Sequence, residues 1–116
     1  HLGMMVPGPV QAALAALLED QAHVEVQRSR YRARRDVLRH ALEAAGFRID
    51  HSEGGLYLWA TRGEPCRDTV AWLAELGILV APGDFYGADA HSHVRIALTA
   101  TDERIAAAAG RLLASA

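Results

Sequence analysis

Lysine is missing altogether: the 12 basic residues of this 116-residue chain are all arginine. Without an ε-ammonium the chain forms no lysine Schiff base, builds no Walker-type phosphate loop and has no lysine general base. Cysteine is almost as scarce. Cys66 stands alone, which excludes an internal disulfide framework and any multi-cysteine zinc site, and suits a reducing cytoplasm. No apolar run approaches the ~18 residues of a membrane span, and no charged start followed by a long apolar core marks a signal peptide. A basic excess is lacking too: the net charge is −2 and the pI about 6.3, so neither nucleic acid nor a membrane surface is an expected partner. The arginines clustered between Arg28 and Arg48 are diluted by Glu25, Asp36 and Glu43 and read as a solvated helix face. An initiator methionine is absent at His1, so the chain is expected to begin inside a longer protein.

What is present follows an alternating plan. Half of the residues are apolar, enough for one compact domain. After Pro7-Gly8-Pro9, the spacing of Val10, Ala13, Leu14, Leu17 and Leu18 predicts a helix with one apolar stripe, ending near Asp20. A longer helix is expected from Gln21 to Ala45, with Val24, Tyr31, Leu38 and Ala45 seven apart and Gly46 as its stop. Short strands follow at Phe47–Asp50 and Leu56–Thr61, and their short link favours antiparallel pairing. A helix near Arg67–Leu76 turns Val70, Trp72 and Leu73 inward, and Ile78–Ala81 reads as a strand covered on both faces. The last strand, Val94–Leu98, leads through Thr99 or Thr101 as cap into a helix with Ile105, Ala108, Ala109, Leu112 and Leu113 on its buried stripe. The order α-α-β-β-α-β-β-α predicts an α/β two-layer sandwich with a small four-stranded sheet, largely antiparallel or mixed, covered by helices.

Arg95 is the one charge in Val94-Arg95-Ile96-Ala97-Leu98, and period two puts it with Ala97 on the face opposite Val94, Ile96 and Leu98. Its planar fork of donors matches a carboxylate or phosphate two bonds at a time, so beside the turn Pro82–Gly87 it reads either as an anion anchor or as a strand arginine facing solvent or an acidic neighbour. His91-x-His93 lacks a third ligand nearby and reads as a solvated loop rather than a zinc pair. His23, His40 and His51 have no matching nucleophile, and Cys66 reads as a helix-start residue.

Four motifs stand in a fixed order: Pro7-Gly8-Pro9-Val10-Gln11, Gly54-Gly55-Leu56-Tyr57-Leu58-Trp59, Pro82-Gly83-Asp84-Phe85-Tyr86-Gly87 and Val94–Leu98. Together they resemble the C-terminal small domain of a class I/II, fold-type-I, pyridoxal-phosphate-dependent aminotransferase. The wording Val80–Gly87 and Arg95–Asp102 is similar to the succinyldiaminopimelate aminotransferases of lysine biosynthesis.

The resemblance implies that Arg95 pairs with the substrate α-carboxylate, and that Gly54 and Gly55 pass the backbone close to the substrate mouth or simply turn a hairpin. Asp84, Phe85 and Tyr86 become rim residues of the entrance, with Gly55 and Tyr86 beside Arg95 as substrate contacts. Tyr86 stands where the family usually has phenylalanine. Tyr57 and Trp59 read as core or domain-interface aromatics. The resemblance further implies pyridoxal 5'-phosphate as cofactor, amino acids and 2-oxo acids as substrates, and a cytoplasmic homodimer for the full-length enzyme. Residues 1–20 would be an inter-domain helix region and 21–116 the domain body. The Schiff-base lysine and the phosphate-binding residues belong to the family's larger domain, so no catalytic, cofactor-binding or metal-binding residue is expected in this chain, and the chain alone is expected to be inactive. The alternative is a free-standing amino-acid-binding regulatory module.

Overall fold

The structure, a computed structural model, describes residues 5–116. Two compact units divide between Arg30 and Tyr31, inside the second helix. In the first unit α1 (Gly8–Glu19) starts where Pro7 and Pro9 have no N–H to leave unpaired. The predicted stripe is helical, yet none of its residues is buried: Val10, Leu14, Leu17 and Leu18 are all exposed. Periodicity sets which side chains share a face and leaves open whether anything covers it. The second helix, α2 (Ala22–Ala44), lies one residue inside each expected end.

α2 stops by backbone geometry. Gly46 takes φ +84°, its N–H donates to Glu43 O (3.1 Å), and the Phe47 N–H donates to Leu42 O (2.9 Å). This paired closure requires a left-handed residue, and it drops Phe47 into the core. α3 (Cys66–Glu75) ends in the same way, with Gly77 donating to Ala74 O (2.8 Å) and Ile78 to Leu73 O (2.9 Å).

The sheet of the second unit is wholly antiparallel, in the order β1-β2-β4-β3, from β1 (Arg48–Asp50), β2 (Tyr57–Thr61), β3 (Ala81–Pro82) and β4 (His93–Ala97). The expected strand at Ile78–Ala81 is corrected: only Ala81 and Pro82 pair, and Leu79 is 92% exposed. Ile78 is taken up in closing α3 and packs on the core, so the chain enters register with Arg95 only at Ala81. Pro82, lacking an N–H, is tolerated because β3 is an edge strand. Two 3₁₀ turns, Gly83–Tyr86 and Ala88–Ala90, connect β3 to β4.

One sheet face is core. Leu58 and Ala60 of β2 and Val94 and Ile96 of β4 pack against Leu38, Ala41 and Leu42 of α2, Leu73 of α3, and Ile105, Ala109 and Leu112 of α4 (Asp102–Ala114). Thr101, one of the two expected caps, starts α4 by accepting the Arg104 N–H. Arg34 ties this corner together, donating to Leu98 O (3.1 Å) and to Asp102. The other sheet face carries Asp50, Tyr57, Trp59, His93 and Arg95, none of them buried. Among the described residues no helix is long and apolar enough to cross a membrane.

Candidate functional site

The pleat assembles this open face. Arg95 lies directly across from Trp59 on one side and Ala81 on the other, Tyr57 across from Ala97, His93 across from Thr61, and Asp50 across from Trp59. Alternation sends every second side chain the same way, so a contiguous polar and aromatic surface forms on the back of an apolar core.

Arg95 is its centre. The guanidinium carbon lies 4.2 Å from the centroid of the Tyr57 ring and 5.0 Å from that of Tyr86, both within cation–π range. Nε is buried and meets no acceptor, and no protein group among the described residues accepts from either terminal nitrogen. A desolvated, unpaired donor costs about 1–3 kcal/mol. The rings hold the planar fork in place while its donors stay free, an arrangement suited to a planar carboxylate. The acidic-neighbour reading of Arg95 is thereby set aside, since no carboxylate among the described residues pairs with it.

Of the two readings of Tyr57 and Trp59, core and domain interface, the core one is corrected. Both side chains stand on Arg95's face rather than in the core, with Tyr57 exposed and Trp59 half-buried. The signal was in the period of two that joins Tyr57 and Trp59 to Arg95 across the register.

The three rim residues divide. Asp84 accepts two bonds from Arg67 of α3, from Nε at 2.8 Å and from Nη2 at 3.0 Å, and the Phe85 ring lies 5.0 Å from the same guanidinium. Only Tyr86 reaches Arg95. Gly83, passed over in the sequence, proves the tightest point of the loop: a Cβ there would stand 2.0 Å from Ala90 O and 2.5 Å from His93 O. Gly55 adopts φ +78° and its carbonyl accepts from Arg35 of α2, whereas a side chain at Gly54 would meet open space within this chain.

His93 is a second correction. The expected solvated loop holds for exposed His91, but His93 opens β4, with its imidazole stacked on the Trp59 indole (centroids 5.3 Å apart, planes 5° apart) and Nε2 donating to Asp50 Oδ2 at 3.0 Å. That bond, aided by Arg48 3.2 Å from the same oxygen, holds the Asp50 carboxyl below the ordinary carboxylate range. A carboxyl with a lowered folded-state pKa contributes stability above its unfolded value of ~4 and loses it as pH falls through the folded one. Asp50→Asn is thus expected to flatten the loss of stability below about pH 4, as read by urea unfolding from pH 6 to pH 2. Parallel wild-type and variant curves would refute the assignment.

The second unit is an α/β sandwich with an aromatic-flanked arginine on its open face, whose buried Nε meets no acceptor among the described residues. The chain belongs to the class I and II aminotransferase family, whose description as a family matches residues 1–112. Over 112 residues, 97% of the chain, it is 68% identical to Probable aminotransferase Rv1178 of Mycobacterium tuberculosis and 70% identical to 4-dedimethylamino-4-oxo-anhydrotetracycline transaminase OxyQ of Streptomyces rimosus. It is 34% identical over 105 residues, 88% of the chain and 27% of the relative, to LL-diaminopimelate aminotransferase 2 of Nostoc. Among solved structures, YbdL of Escherichia coli, described as having a methionine aminotransferase function, matches 97% of this chain and 32% of its own with a TM-score of 0.78 at 28% identity. The chain spans 27% and 31% of the length of its first two relatives.

Members of this family use pyridoxal phosphate. This chain has no lysine to carry that cofactor.

Proposed function

We propose that this chain is the C-terminal small domain of a pyridoxal-phosphate-dependent aminotransferase, and that it holds the α-carboxylate of the amino-acid or 2-oxo-acid substrate on Arg95. The carrying observation is the Arg95 guanidinium, whose buried Nε meets no acceptor among the described residues. When bound by the complete enzyme, pyridoxal phosphate supplies the electron sink for cleavage at Cα. Arg95 supplies orientation. Two bonds to one carboxylate fix the substrate's rotation as well as its place, so the bond to be broken keeps one direction. Tyr57 and Tyr86 keep the fork from swinging away, and the Gly54–Gly55 turn, tethered through Arg35, borders the same sheet end. The chain alone, without a lysine, is inactive, and the complete enzyme acts as the homodimer common in this family.

For the complete enzyme we read the reaction as amino transfer between N-succinyldiaminopimelate and 2-oxoglutarate in diaminopimelate and lysine biosynthesis. The wording of Val80–Gly87 and Arg95–Asp102 supports this, as does the similarity to a diaminopimelate aminotransferase. A second reading has its own support: the 70% identity to the oxo-anhydrotetracycline transaminase favours a polycyclic oxo compound as amino acceptor, with Arg95 serving the amino donor. Assaying the complete polypeptide with N-succinyldiaminopimelate and 2-oxoglutarate decides between them. Glutamate formation is the expected result; none, with turnover of an oxo-tetracycline and an amino acid, would replace the first reading by the second.

A further inference from the structure

We propose that His93, fixed by Asp50, is a positioning residue that sets the Arg95 fork for the substrate carboxylate, acting through Trp59 and Tyr86. The inference rests on the carboxylate reading of Arg95 and adds a residue to it. Both imidazole nitrogens are engaged: Nε2 donates to Asp50 Oδ2 at 3.0 Å, and Nδ1 lies 3.3 Å from Ser92 Oγ. A ring held at both ends cannot turn about its own axis without giving up a bond, and the nearly parallel Trp59 indole rests on this fixed plane. The indole then meets the Tyr86 ring edge-on, with centroids 5.8 Å apart and planes at 85°, the geometry in which a positive ring edge faces a negative ring face. Tyr86 needs that support. It sits in a 3₁₀ turn, half exposed, and no side-chain hydrogen bond of the described residues holds its hydroxyl. Its other aromatic-face contact is the Arg95 guanidinium.

The contacts therefore run in one line, Asp50–His93–Trp59–Tyr86–Arg95, across three strands and the loop. Losing the imidazole removes the surface against which Trp59 is set, Tyr86 loses its edge partner, and the fork gains freedom that substrate binding must then take away. His93 itself stays clear of the reacting atoms, because its nitrogens are already committed. With an aromatic pair contributing about threefold to tenfold in an equilibrium constant, substrate affinity is expected to fall by that factor while the chemical step is spared.

The test is a double-mutant cycle in the complete enzyme, with KM and kcat for the amino-acid donor as readouts and thermal unfolding as the check on folding. His93→Ala is expected to raise KM by about threefold to tenfold with kcat within about twofold. His93→Phe, which keeps a ring against Trp59 but gives up the bonds to Asp50 and Ser92 that fix its plane, is expected to recover part of the loss and covers the case in which His93→Ala folds poorly. In a Tyr86→Ala background the effect of His93→Ala is expected to shrink to less than about twofold, because the path it acts through is gone. Additive effects of His93→Ala and Tyr86→Ala would overturn the proposal, as would a loss confined to kcat or His93→Phe as impaired as His93→Ala. Arg95→Leu in the same assay separates the two layers: if it changes nothing, the carboxylate reading fails; if it raises KM and His93→Ala does not, only the role of His93 fails.

Discussion

Replacing Arg95 by leucine in the complete enzyme lowers kcat/KM for the amino-acid substrate by about 10²- to 10³-fold, the size expected when a carboxylate loses a bidentate cationic partner worth roughly 3–4 kcal/mol. Both constants are expected to move. The pairing held equally in ground and transition states appears in KM, and the lost control of Cα orientation appears in kcat. Folding is spared, because leucine suits a strand and the substitution removes a buried Nε that no acceptor satisfies. Arg95→Lys restores only part of the activity: the charge returns, but the planar fork between donors and the face presented to Tyr57 and Tyr86 do not. Steady-state kinetics on three proteins check this, beside circular dichroism to confirm the fold. An unchanged kcat/KM in Arg95→Leu would end the assignment.

Much of this arrangement is legible in the sequence, and the reasons differ from element to element. Helix ends were readable because Gly46 and Gly77 are needed in left-handed backbone, a local requirement that composition exposes. The face of Arg95 was readable because strand alternation is rigid. Of the neighbours of Arg95, Tyr86 was named through the family resemblance, but Tyr57, Trp59 and His93 were not readable, since they look alike as core, interface or loop residues until the register β2–β4 sets them side by side. His93 was hidden for a further reason: the strand was expected to begin at Val94, and one more residue of pairing turns a loop histidine into a member of the face. Ile78–Ala81 misled in the opposite sense. Apolar content suggested a covered strand, whereas the closure of α3 takes Ile78 for the core and leaves Leu79 in water. The lack of lysine was the firmest limit of all, and no geometry alters it.

Gly83→Ala adds a methyl where the loop before β4 has no room for one. The added Cβ would stand 2.0 Å from Ala90 O and 2.5 Å from His93 O, and both obstacles are backbone rather than flexible side-chain ends. Alanine pays no backbone penalty of its own there, since Gly83 is not among the positive-φ residues, so the whole effect comes from space. Relief requires the turn Gly83–Tyr86 to part from the start of β4 by an ångström or more, which breaks the placement of Tyr86 against Arg95 and of Pro82 opposite Val94. Overpacking of this kind costs about 3 kcal/mol, the upper end of its usual range. Urea unfolding is expected to show a lower midpoint with an unchanged slope, the mark of lost stability without a change in exposed area. The surviving folded enzyme should also bind its amino-acid substrate several-fold more weakly, because Tyr86 no longer flanks the fork. An unfolding midpoint equal to that of the wild type would show that the loop has slack at Gly83, and the close approach of β4 would then not be what sets Tyr86 in place.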